Sequence, residues 1–133
     1  MKHAVLLVGH GSNLAGSNAA LEQVIQALRK QEPATFFQSA FLELQSPNIL
    51  EGIELCLHQG ASEVVVVPYF VQTGRHVVED IPRIVTEAKS KFPEKSIRLA
   101  EYLGFDQKIV SVVADRVRKA RLDLEAVSRK YKA

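Results

Sequence analysis

Three side chains in this sequence could hold a metal ion or move a proton from a common point: His10, Glu43 and His76. His10 stands between two glycines at the end of the apolar run "AVLLVGHGSN". Glu43 closes a second β-rich run, "TFFQSAFLEL", and His76 follows a third, "SEVVVVPYFV", in the loop segment "QTGRH". Neutral imidazole is a borderline ligand for divalent transition metals, and it accepts a proton near neutral pH. A carboxylate can take up a proton or orient an imidazole. Glycines on both sides of His10 let a ligand come close to the backbone. The other two histidines are placed differently. His3 begins the first strand, at the opposite edge, and His58 sits near the end of a helix, where a cation suits the dipole.

That chemistry requires three segments to end at one rim, and the pattern of the chain supplies a reason for them to do so. Four apolar, β-rich runs alternate with four helical patterns, which predicts an α/β fold: one domain over 1–133, with a four-stranded, mainly parallel sheet and helices on both faces. The first strand is expected at about His3 to Gly9, apolar throughout after His3, as in a strand buried on both faces. Leu21, Val24, Ile25 and Leu28 then recur at helical spacing, and Pro33 closes the helix. "SPNILEGIELCLHQG" reads as a second helix with Ser46 as N-cap, Pro47 in the first turn and Gly60 as its stop. The strand "SEVVVVPYFV" is the most hydrophobic and is expected to be central, its pairing failing near Pro68, which has no N–H to donate. Ile81, Ile84, Val85, Ala88 and Phe92 mark a third helix capped by Asp80. A short strand near "SIRLAEYLG" leads to a last helix whose stripe is Ile109, Val113, Val117, Ala120, Leu124 and Val127, expected to lie against the sheet. In such open sheets ligands bind beyond the carboxyl ends of the strands, near the point where strand order reverses, and that is where His10, Glu43 and His76 fall.

Composition narrows the function classes. Nearly half the residues are apolar and about a quarter charged, the ordinary mix of a soluble globular protein. The net charge of +2 carries little information, and the basic C-terminal run is interrupted by Asp115, Asp123 and Glu125, so it reads as a solvated helix face with no nucleic-acid partner. The single cysteine, Cys56, falls on the stripe of Ile49, Ile53 and Leu57 and reads as core; with no intramolecular disulfide possible, the chain suits a reducing cytoplasm. No signal peptide or membrane span is expected. "GHGSNL" lacks the third small residue of a dinucleotide fingerprint and the lysine of a P-loop, and Gly9 stands where a histidine phosphatase would carry its arginine.

With those residues in place, the chain resembles the small CbiX-type sirohydrochlorin chelatases, which insert a divalent metal into a tetrapyrrole. The resemblance rests on "LVGHGS" (Leu7 to Ser12), "FLELQSPNILEGI" (Phe41 to Ile53) and above all "VVVVPYFVQTGRHVVEDIP" (Val64 to Pro82). It implies a chelatase-like fold with His10 and His76 as the catalytic and metal-binding pair and Glu43 as the acidic partner. It implies no tightly bound cofactor, with Co2+, or else Ni2+ or Fe2+, as a substrate. Cobalt insertion into sirohydrochlorin for cobalamin synthesis is the activity expected first. Nickel or iron insertion, and a non-catalytic carrier of metal or tetrapyrrole, stay open as alternatives. Longer relatives pair two such domains around one cleft, which implies a homodimer here. The substrate's carboxylates make Gly11, Ser12, Gly74 and Arg75 candidate contacts.

Overall fold

A computed structural model describes residues 2–131, with side chains described through residue 124. The chain runs β1 (His3–Gly9), α1 (Ala19–Gln31), β2 (Phe36–Phe41), α2 (Ile49–His58), β3 (Glu63–Pro68), a π-helical turn (His76–Asp80), α3 (Ile81–Lys91), β4 (Ser96–Leu99) and α4 (Gln107–Tyr131). The four strands form one sheet in the order β2-β1-β3-β4, every pair parallel. The α/β architecture expected from the alternating pattern is therefore the observed one, and the two most hydrophobic strands, β1 and β3, are the inner pair.

Side chains alternate across the sheet and feed two packed layers. On one face Ala4, Leu6 and Val8 of β1 and Val64 and Val66 of β3 meet α2 and α3 through Ile53, Cys56, Ile81 and Val85. On the other, Leu7 and Phe37 meet Leu21 and Ile25 of α1. Cys56 is fully buried, and burial pushes its thiol up to about 12, so it is a core side chain and no thiolate ligand at neutral pH.

Several local expectations are corrected. The strand read from "TFFQSAFLEL" stops at Phe41, because the chain then bends: Leu42 N–H donates to the Gly9 carbonyl and Glu43 N–H to that of His10, and Leu44 turns left-handed at φ 67°. Glu43 thus lies in the loop after β2 and does not close the strand. β3 ends at Pro68, as the missing donor there predicts, and so is shorter than the full run "SEVVVVPYFV". The N-cap of α2 is Asn48, not Ser46, and Pro47 precedes the helix. Glu51 N–H donates to Asn48 Oδ1 at 2.8 Å and Asn48 N–H to Glu51 Oε1 at 2.9 Å, a reciprocal box that satisfies two otherwise free donors. Asp80 makes no side-chain cap to α3.

The largest correction concerns α4. Its stripe was expected to be covered by the sheet, yet Val113, Val117 and Leu124 are 57%, 43% and 70% exposed. Among the residues whose side chains are described, the helix from Gln107 makes little contact with the strands, and Val127 lies outside those residues. Periodicity shows that a helix has an apolar face but not which surface covers it. Among the described residues, no helix is long and apolar enough to cross a membrane.

Candidate metal centre at the switch point

After β1 the chain moves to β2 on one side; after β3 it moves to β4 on the other. The order therefore reverses between β1 and β3, and the crevice opens beyond their carboxyl ends. His10 is the first residue past β1, and His76 opens the π turn after the β3 loop. Glu43 is carried to the same rim by the bend after β2, whose two backbone hydrogen bonds extend the β1–β2 pairing past Gly9.

The three side chains converge. One donor atom from each of His10, Glu43 and His76 lies within 4.8 Å of the others. His10 Nε2 approaches Glu43 Oε1 to 3.1 Å, and the two imidazole rings stand with centroids 5.3 Å apart, tilted by 49°. Each side chain is about half exposed, at 50%, 52% and 47% for His10, Glu43 and His76, so water and an ion reach the cluster freely. Two imidazole nitrogens and a carboxylate oxygen form a mixed donor set with open positions, suited to late first-row divalent ions and too incomplete to trap one. The cluster borders a cleft of about 620 Å³ whose lining includes His10, Tyr69, Phe70, Val71, Gly74 and His76.

The remaining candidates divide. Gly11 and Ser12 line the cleft, as does Gly74. Gly11 has a backbone reason to be glycine: at φ +100° a side-chain carbon would overlap the Glu43 carbonyl oxygen, so the β1 loop and the Glu43 loop touch there. The Ser12 N–H is already engaged, donating to Gln45 Oε1 at 2.8 Å, and its Oγ accepts from Leu14 N–H at 3.0 Å. Arg75 points elsewhere: its side chain is 82% exposed, pairs with Glu79 at 3.6 Å, and does not line the cleft. His3 is at the far edge, 3.0 Å from Glu63, as its position before β1 requires.

Two residues with roles in the site escaped the sequence reading. Gln45 ties the β1 loop to the β2 loop, a contact between positions too far apart for any spacing rule. Asp80 was read as a helix cap, and its carboxylate instead meets His76 Nδ1 at 2.7 Å. The i, i+4 spacing of a histidine and an aspartate was visible, but the π turn that joins them was not.

Known proteins resemble this chain in sequence and fold. The chain is 32% identical over 118 residues to the "Sirohydrochlorin ferrochelatase" of Bacillus subtilis, covering 89% of this chain and 45% of that protein. It is 32% identical over 124 residues to the "Sirohydrochlorin cobaltochelatase" of Sulfolobus acidocaldarius, covering 93% and 96%. Among solved structures, the sirohydrochlorin chelatase SirB from Bacillus subtilis subspecies spizizenii in complex with cobalt superposes with a TM-score of 0.82 at 34% identity, over 90% of this chain and 51% of that one. The chain thus spans about half the length of the Bacillus proteins and nearly all of the Sulfolobus one. The CbiX family model matches residues 4–120, and with a four-stranded parallel sheet of the same architecture the chain belongs to the CbiX family.

Proposed function

We propose that this chain is a single chelatase domain that inserts a divalent metal into sirohydrochlorin, with Co2+ as the first candidate and cobalamin synthesis as the pathway. The observation that carries the reading is the convergence of His10, Glu43 and His76 on an open rim at the switch point. Insertion exchanges two pyrrole N–H protons for one M2+, so the site must release an ion and take up protons at the same place. Imidazole couples the two events, because the lone pair that leaves the metal is the one that accepts the proton. Glu43, 3.1 Å from His10, receives a proton from it or steadies the imidazolium as it forms. The half-exposed setting lets those protons pass to solvent. No tightly bound cofactor is needed, since the ion is itself a substrate.

Iron insertion is the second reading, and it is favoured by the 32% identity to the Bacillus subtilis ferrochelatase. Nothing in a two-imidazole, one-carboxylate set rejects cobalt, nickel or iron by size or geometry, and affinity at such a site follows the general order of the divalent series. Purified protein incubated with sirohydrochlorin and each metal, followed by absorption, is expected to show repeated turnover with both cobalt and nickel. A single stoichiometric uptake without turnover would instead make the chain a carrier. Strict rejection of cobalt or nickel would require a selective cage that the three donors do not form.

The working unit we propose is a cytoplasmic homodimer whose cleft is lined by His10 and His76 of both copies. The half-exposed cluster and its cleft form an open surface on one side of the domain, and α4 carries an exposed apolar stripe of the kind that marks a protein partner. Within the basic run around it, Arg118 Nη2 lies 2.9 Å from Asp115 Oδ1. In a twofold assembly each such patch meets its own copy. Light scattering is expected to give twice the chain mass, and titration to saturate near one tetrapyrrole per dimer. A monomer that keeps full activity on dilution would defeat the shared cleft.

A further inference from the structure

We infer that Asp80 is a positioning residue for His76, fixing the ring so that Nε2 is the atom offered to the incoming metal. The inference rests on the chelatase reading for the purpose of the site, but its geometry stands apart from that reading. His76 Nδ1 and Asp80 Oδ2 are 2.7 Å apart. An ionised carboxylate can only accept, so the proton of that hydrogen bond sits on Nδ1 and the neutral ring keeps its lone pair on Nε2. The second oxygen, Oδ1, faces Arg83 Nη2 at 3.9 Å, so the carboxylate has a cation on its other side.

Two other roles for Asp80 fail on the structure. As a cap for α3 its side chain would accept from the first turn, and it makes no such bond. As a metal ligand it would belong to the converging set, which comprises His10, Glu43 and His76. What remains is the bond to His76, and the local backbone is built around it. His76 and Asp80 are the two ends of a π turn closed by Ile81 N–H donating to the His76 carbonyl. Ile81 is fully buried, so the far end of the turn is anchored in the core while His76 lines the cleft. Single π turns of this sort recur at functional sites, because the wider turn re-aims side chains without ending the helix. A carboxylate behind a ligating imidazole fixes its tautomer and makes the facing nitrogen a better donor.

The test uses the full chain with Co2+ alone, read by the visible absorption of the bound ion, alongside 15N NMR of the His76 ring. Asp80→Ala is expected to weaken Co2+ binding about 10–100-fold. Asp80→Asn should lose less, because its amide oxygen still accepts the Nδ1 proton without contributing charge. The parent ring should be in the Nδ1–H form, and Asp80→Ala should convert it to a mixture, a change that simple loosening of the turn would not produce in Asp80→Asn. A parent ring protonated on Nε2, or Asp80→Ala binding Co2+ within about twofold of the parent, would overturn the inference. If the tautomer and affinity results hold while sirohydrochlorin is never metallated, the positioning role stands and the chelatase reading falls.

Discussion

Replacing His10 or His76 with alanine is expected to lower metal insertion by more than about 100-fold, beyond what loss of a supporting group behind a ligand costs. The fold should survive. Both side chains are half exposed and lie past strand ends, where substitution removes no core packing. The two losses should also look alike, because each deletes one of two imidazoles from a three-donor set. Glu43→Gln should cost less than about 100-fold, since water in an open cleft can take the proton that the carboxylate would have received. Rates measured with sirohydrochlorin and Co2+, beside circular dichroism spectra, check all three. Near-normal turnover in either histidine variant, with an unchanged spectrum, would refute the assignment.

The positions of these three residues could be read from the sequence for a physical reason. A parallel α/β sheet puts the ends of all its strands on one side, so alternation of runs alone sends His10, Glu43 and His76 to a common rim. The order β2-β1-β3-β4 then brings His10 and His76 next to each other, because β1 and β3 are paired from His3↔Glu63 to Val8↔Pro68. What could not be read depends on contacts between segments distant in the chain or on small changes of backbone type. The capping box at Asn48 outcompetes Ser46 because Glu51 is at the right spacing to return the bond, a signal that was present and passed over. The left-handed turn at Leu44 and the Gln45 bond to Ser12 have no local signature. The exposed stripe of α4 is legible as a stripe, but periodicity does not say whether the sheet or another surface covers it.

Gly11→Ala should be the most damaging single-methyl change at the site. Gly11 sits at φ +100°, where a side chain strains the backbone, and its added carbon would overlap the Glu43 carbonyl oxygen. Relief requires the β1 loop and the Glu43 loop to separate, which breaks the bond from Glu43 N–H to the His10 carbonyl, 3.2 Å, that holds them together. Stability should fall by about 2–3 kcal/mol, seen as a melting point lower by about 10 °C. Activity measured well below that temperature should fall further than the folded fraction does, because moving the Glu43 backbone takes its carboxylate away from His10. Gly16→Ala is the control: that glycine is also left-handed, at φ +78°, but a side-chain carbon there meets nothing within 4 Å. It should cost about 1 kcal/mol of backbone strain and leave the rate of folded enzyme alone. Equal melting points and rates for the two variants would show that the contact between the loops does not hold Glu43 in place. A Gly11→Ala protein that is destabilised but fully active per folded molecule would separate the packing role of this glycine from the chemistry of the rim.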